Sequence, residues 1–116
     1  MAACTDCRID FIPVHYFMES WGDVHSSIAT MQENLRWIAE NLHRPIWITE
    51  MAYWASEDEE LFFLRGMLDF FESNDWISRY SYRTAEQMMN PDGSLTRIGH
   101  CYACFRSGGE GDTCCV

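Results

Sequence analysis

Glu50 ends the run Pro45-Ile46-Trp47-Ile48-Thr49-Glu50, where a carboxylate follows four residues, Ile46 to Thr49, that are all β-branched or aromatic. A run bounded by Pro and so rich in Ile and Trp reads as a buried strand. The C-terminal end of such a strand is the face on which parallel-sheet proteins build their sites. Glu50 there is either a catalytic carboxylate or a solvated one at a strand end, and spacing leaves both readings open. His15 and Tyr16 fall at the C-terminal end of a second apolar run, residues 9–17, where the residues alone favour a core histidine bonded to backbone. Cys4-x-x-Cys7 and Cys101-x-x-Cys104 have the spacing of a four-thiolate zinc site. That site requires the two pairs to meet in space, and Cys101 and Cys104 fall on an expected helix. A thioredoxin-type role has less support, because no helix begins at Cys4-x-x-Cys7.

The elements that must position these residues alternate between strand and helix. Residues 9–17 read as a buried parallel strand, with Pro13 pointing to a sheet edge or a bulge. Ser26 or Ser27 can cap a helix. Ile28, Met31, Leu35, Ile38 and Leu42 then form one apolar stripe, with Gln32, Glu33, Arg36 and Glu40 outside it. Pro45 prevents continuation. After the strand ending at Glu50, residues 51–55 read as a loop. Ser56 and Glu59 make a capping box, and Asp58 and Glu60 suit a helix N-terminus. Leu61, Leu64, Leu68 and Phe71 form the stripe of that helix, which Gly66 weakens slightly. Residues 76–82 read as a third strand, 84–89 as a short helical turn, Asn90-Pro91-Asp92-Gly93 as a turn and 95–102 as a final helix. The Gly-rich tail over 106–116 is expected to be disordered. The order β-α-β-α-β-α with short connections predicts an α/β fold with a parallel sheet.

Four blocks resemble one family in order. They are Pro45-Ile46-Trp47-Ile48-Thr49-Glu50, Cys4-x-x-Cys7 followed by Ile9-Asp10-Phe11-Ile12-Pro13-Val14-His15-Tyr16-Phe17, Arg79-Tyr80-Ser81-Tyr82, and Gly93-Ser94-Leu95-Thr96-x-Ile98-Gly99-x-x-Tyr102. Together they are similar to the Asl1-like group of fungal endo-β-1,3-glucanases, glycoside hydrolase family 128, whose members are TIM barrels. The resemblance covers residues 4–102. It implies a partial TIM (β/α)8 barrel, the last three β/α units, with residues 1–105 as the C-terminal part of a catalytic domain. It also implies retaining hydrolysis of β-1,3-glucan without a cofactor. Glu50 matches the nucleophile position, and His15, Tyr16, Trp54, Tyr80 and Tyr82 become residues of the sugar cleft. The family's acid/base Glu sits in an Asn-Glu-Pro motif on an earlier strand, and that motif does not occur in these 116 residues. Glu19 lies just past the first strand but matches no family position. Met51 and Arg83 depart from the family, which commonly has Phe after the nucleophile and a small residue after position 82. The family commonly carries Cys near its sixth strand, which makes a disulfide in a secreted protein the simpler account of the cysteines.

Composition narrows the partners. The net charge of −10 argues against nucleic acid or anionic membrane held through a general positive field. No apolar run is long enough to span a bilayer. Aromatics at 15%, with five Trp, suit stacking on a β-glucan partner, but an ordinary large core is the better account of most of them. A complete TIM barrel needs roughly 200–250 residues, so the resemblance implies that this chain is a fragment. The first residues have neither the basic nor the apolar region of a signal peptide. Family members are extracellular or bound to the cell wall, so the resemblance implies that the true N-terminus lies upstream. A non-catalytic glucan-binding or wall-associated remnant, and a small Cys4 zinc module, are the alternative readings.

Overall fold

The computed structural model describes residues 6–19 and 22–105. The tail over 106–116 and Cys4 lie outside the described residues. Strand β1 (Ile12–Glu19), helix α1 (Val24–Leu42), strand β2 (Ile46–Trp54), helix α2 (Glu57–Glu72) and strand β3 (Ile77–Tyr80) follow one another, and then come helices α3 (Ala85–Met88) and α4 (Arg97–Cys104). The sheet order is β1-β2-β3, with both pairings parallel. This is the expected α/β arrangement. Pro13 sits in β1, which is an edge of this sheet, where a missing N–H is tolerated.

The element boundaries move where local capping differs from the expectation. Helix α1 is capped by Asp23 rather than by Ser26 or Ser27. The Asp23 carboxylate accepts bonds of 2.9 Å from both the backbone N–H and the hydroxyl of Ser26. Those bonds hold its carboxyl below the usual range. The helix ends at His43, whose φ of 51° is left-handed and whose N–H bonds to the Ala39 carbonyl at 3.1 Å. Helix α2 has the expected capping box, with Ser56 and Glu59 each satisfying the other's backbone N–H. Strand β2 continues through Met51 to Trp54, where a loop was expected.

Helix α2 buries more than one stripe because it packs against both α1 and α4 while lying on the sheet. Leu61, Leu64, Leu68 and Phe71 are buried as expected, and so are Phe63, Met67 and Phe70. Facing them from β2 are Ile46, Ile48, Met51 and Tyr53, with Met31 and Leu35 from α1 and Ile98 from α4. Helices α1, α2 and α4 pack on this one side of the sheet, and among the described residues the other face, which carries the exposed His15, Phe17 and Glu19, is open.

One buried polar pair ties α2 to the segment after β3. The Tyr82 hydroxyl donates to Glu60 Oε1 at 2.6 Å, and both residues are buried. Burial raises the Glu60 carboxyl above its ordinary 4.5, and the Tyr82 bond pulls it partly back. A raised folded-state value means that the folded protein holds the proton more tightly than the unfolded chain does. Glu60 therefore favours folding most at acid pH, and this contribution declines as pH rises from the ordinary value through the raised one. Tyr82→Phe should leave a buried carboxylate without its donor and cost about 1–3 kcal/mol. The loss should be larger near pH ~7 than near pH ~4, because the hydroxyl stabilises the charged form. Thermal unfolding of both proteins at the two pH values checks this, and an equal loss at both would refute it.

Candidate active site

Strict alternation along β2 would place Glu50 on the same side as Ile46 and Ile48, under the helices. An irregularity in the β1–β2 ladder prevents this. Val14 pairs with Ile48, but the next pair is His15 with Glu50, so Thr49 is the extra residue of a β-bulge. The Thr49 hydroxyl donates to the Val14 carbonyl at 3.2 Å, and the Ser81 hydroxyl donates to the Thr49 carbonyl. Beyond the bulge the parity is reversed. Met51 and Tyr53 now face the helices, and Glu50, Ala52 and Trp54 fall on the open face, opposite His15, Phe17 and Glu19.

On that face Glu50 meets a cation. Arg83 Nη1 lies 3.4 Å from Glu50 Oε2, with the two side chains 52% and 41% exposed. The backbone places Arg83 there: beyond β3 the Ser81 N–H bonds to the Ile48 carbonyl and the Arg83 N–H to the Met51 carbonyl, both at 2.8 Å. The Arg83 guanidinium also lies 5.3 Å above the centre of the Phe17 ring. Phe17 in turn stacks on Trp54, with centroids 5.7 Å apart and planes 19° apart. These two rings stay 38% and 49% exposed. His15 meets the edge of Phe17 at 6.4 Å. Towards the other end of the face, Trp47 stacks on Phe11 at 3.7 Å, and Arg79 covers the same indole at 5.2 Å.

The structure thus brings together three of the residues singled out from the sequence, Glu50, His15 and Trp54. Trp54 belongs to β2 rather than to a following loop. The three tyrosines lie on the opposite, helix-covered side. Tyr16 accepts a 2.9 Å bond from Asn34 Nδ2 of α1. Tyr80 donates to Glu72 and packs between Phe71 and Tyr102. Tyr82 is held by Glu60. Burial first, and then the neighbouring carboxylate, pushes the Tyr80 and Tyr82 hydroxyls well above the usual phenol range. Tyr82 does share the C-terminal end of the sheet with Glu50 and His15, but not their face. Phe17 and Arg83 join the site, although sequence reasoning assigned them no role in it.

Glu19 is on the open face but too far along it to be a second catalytic carboxylate. It sits four residues beyond His15, the partner of Glu50, or roughly 13 Å along the strand. A retaining pair needs about 5–5.5 Å. The zinc module is set aside on chemical grounds: Cys7, Cys101 and Cys104 are disulfide-bonded, whereas zinc is held by free thiolates. No helix among the described residues is long and apolar enough to cross a membrane.

Comparison with known proteins agrees with the parallel α/β fold. The family model described as glycosyl hydrolase catalytic core matches residues 1–102. Alkali-sensitive linkage protein 1 of Schizosaccharomyces pombe is 26% identical over 120 residues, which cover 88% of this chain and 21% of that protein. A family 128 subgroup II endo-β-1,3-glucanase from Sorangium cellulosum superposes with a TM-score of 0.79 at 21% identity, over 91% of this chain and 45% of its own. A glutamate-to-glutamine variant of the subgroup I endo-β-1,3-glucanase from Amycolatopsis mediterranei gives 0.64 at 26% identity, over 78% and 40%. The same enzyme has been solved with laminarihexaose. The chain therefore spans about a fifth of the curated relative and less than half of these solved chains. With a model match over most of its length and a parallel sheet of the family 128 kind, the chain belongs to the glycosyl hydrolase catalytic core family.

Proposed function

We propose that this chain is the nucleophile-bearing part of a family 128 β-1,3-glucanase barrel and contributes its last three β/α units. The bulge at Thr49, which turns Glu50 onto the open face opposite His15, is the observation that carries the reading. In a retaining reaction one Glu50 oxygen attacks the anomeric carbon as the bond to the leaving oxygen breaks. The electron pair of that bond departs with the leaving sugar, which takes a proton from a general acid. Water then hydrolyses the glycosyl ester and returns Glu50 to its carboxylate form. His15, on the same face as Glu50, would hydrogen-bond a sugar hydroxyl. The exposed Phe17–Trp54 stack offers apolar ring faces to a glucan. The acid would come from an Asn-Glu-Pro strand outside these residues. The disulfides at Cys7, Cys101 and Cys104 suit an extracellular or cell-wall setting.

The missing acid makes a measurable difference. A sugar alkoxide needs a proton as it leaves, and general acid catalysis contributes about 10²- to 10⁴-fold. The 116-residue polypeptide should therefore hydrolyse laminarin at least about 10²-fold more slowly than a completed barrel, in which this chain follows strands carrying Asn-Glu-Pro. On a dinitrophenyl glycoside, whose leaving group needs no proton, the gap should narrow. Equal laminarin rates for the two proteins would refute the proposal. Laminarin binding by the completed barrel without hydrolysis would favour the non-catalytic glucan-binding reading, which rests on the same exposed Phe17–Trp54 stack.

A further inference from the structure

Arg83 is attached to the site by contacts on three sides. Its backbone N–H is fixed to the Met51 carbonyl at 2.8 Å, directly beyond Glu50 in β2. Its guanidinium lies over Phe17 at 5.3 Å, and Phe17 is itself stacked on Trp54. Its Nη1 reaches Glu50 Oε2 at 3.4 Å, while no hydrogen bond to a described residue engages Oε1. A guanidinium pinned over a ring has lost much of its rotamer freedom, so less order remains to be imposed when it binds a carboxylate. We infer that Arg83 is a positioning residue for Glu50: it binds one carboxylate oxygen and leaves the other aimed along the open face as the attacking atom. The inference rests on the nucleophile role proposed above and adds to it a part for a residue that departs from the family pattern.

The chemistry explains why one oxygen should be held. A nucleophilic carboxylate must direct a lone pair at the anomeric carbon, and small misplacements of a reacting group cost rate steeply. An exposed glutamate side chain samples many rotamers. A cation on one oxygen selects the orientations in which the second points away from Arg83. The ion pair is half exposed and adds little to stability, so its removal should affect the chemical step far more than the fold.

A covalent probe reads this step without the missing acid. In a dinitrophenyl β-laminaribioside fluorinated at the sugar 2-position, Glu50 attacks the anomeric carbon, the bond to the aryl oxygen breaks, and dinitrophenolate leaves with the electron pair. The fluorine slows hydrolysis of the glycosyl ester, so the ester accumulates and can be counted by intact-protein mass spectrometry and placed by peptide mapping. The 116-residue protein should be labelled at Glu50, and Glu50→Gln should not be labelled. Arg83→Gln should be labelled about tenfold or more slowly at saturating probe, with the half-saturating concentration changed by less than about twofold. Arg83→Lys, which keeps the cation but not the planar fork, should recover part of the rate. Labelling of Arg83→Gln at the wild-type rate would overturn the inference while leaving the nucleophile role standing. A wild-type protein that takes no label at Glu50 would overturn both. A change in half-saturation with an unchanged limiting rate would assign Arg83 to sugar binding and overturn the positioning role.

Discussion

Glu50→Gln in the completed barrel is expected to lower laminarin hydrolysis by about 10⁴-fold or more while leaving glucan binding nearly intact. The substitution is isosteric, but it replaces the attacking oxygen with that of a neutral amide, which is a poor nucleophile. Retaining hydrolysis cannot then form its covalent intermediate, and the general acid alone cannot compensate. The fold should hardly notice the change. Glu50 and its partner Arg83 are each more than a third exposed, and such ion pairs contribute about 0–1 kcal/mol. Reducing-sugar release from laminarin, with laminari-oligosaccharide binding and thermal unfolding measured on the same preparation, separates chemistry from structure. A variant that keeps its melting temperature and its binding but loses turnover supports the nucleophile role. A variant within about tenfold of wild type would end it.

The layout of the fold was legible from the sequence because its signals are local. The alternation of apolar runs with amphipathic stripes, the Ser56–Glu59 box and the stop at Pro45 all act within a few residues. The site was less legible because its geometry depends on which side of a strand each residue takes. In β1 the parity was in fact written in the sequence: Ile12, Val14, Tyr16 and Met18 alternate with His15, Phe17 and Glu19. Reading that period through would have sent Tyr16 to the helices and brought Phe17 to the site. In β2 the signal is weaker. Ile46 and Ile48 are buried at even positions, and Met51 and Tyr53 at odd ones, and such a change of parity is the trace of a bulge. A bulge is a property of the pairing with β1, however, and the run Ile46-Trp47-Ile48-Thr49 has strong strand propensity in either register. Arg83 could not be placed from local pattern, because it lies beyond β3 and is held by long-range contacts to β1 and β2.

Gly99→Ala is expected to be the most destabilising single-methyl change in the described chain, lowering the melting temperature by about 10 °C. A Cβ built on Gly99 would lie 2.0 Å from the Met88 carbonyl oxygen and 2.9 Å from the carbonyl carbon. Those atoms are backbone, and they are held in place. The same Met88 carbonyl accepts the Thr96 N–H at 2.9 Å, and the Thr96 hydroxyl caps α4 by accepting the Gly99 N–H at 3.0 Å. The methyl therefore pushes α4 away from α3 and strains its own cap. Overpacking typically costs about 1–3 kcal/mol, and here there is no side chain to swing aside. The helix propensity of Ala returns no more than about 1 kcal/mol. Gly66, inside α2, is the control. A Cβ there would meet Ile28 Cδ1 at 2.8 Å, the end of a flexible side chain on α1 that can rotate away. Gly66→Ala should therefore be close to neutral, because the same propensity gain offsets a small rearrangement. Thermal unfolding of both variants decides the matter. Equal melting temperatures for Gly99→Ala and Gly66→Ala would show that α4 is not held against Met88 in solution.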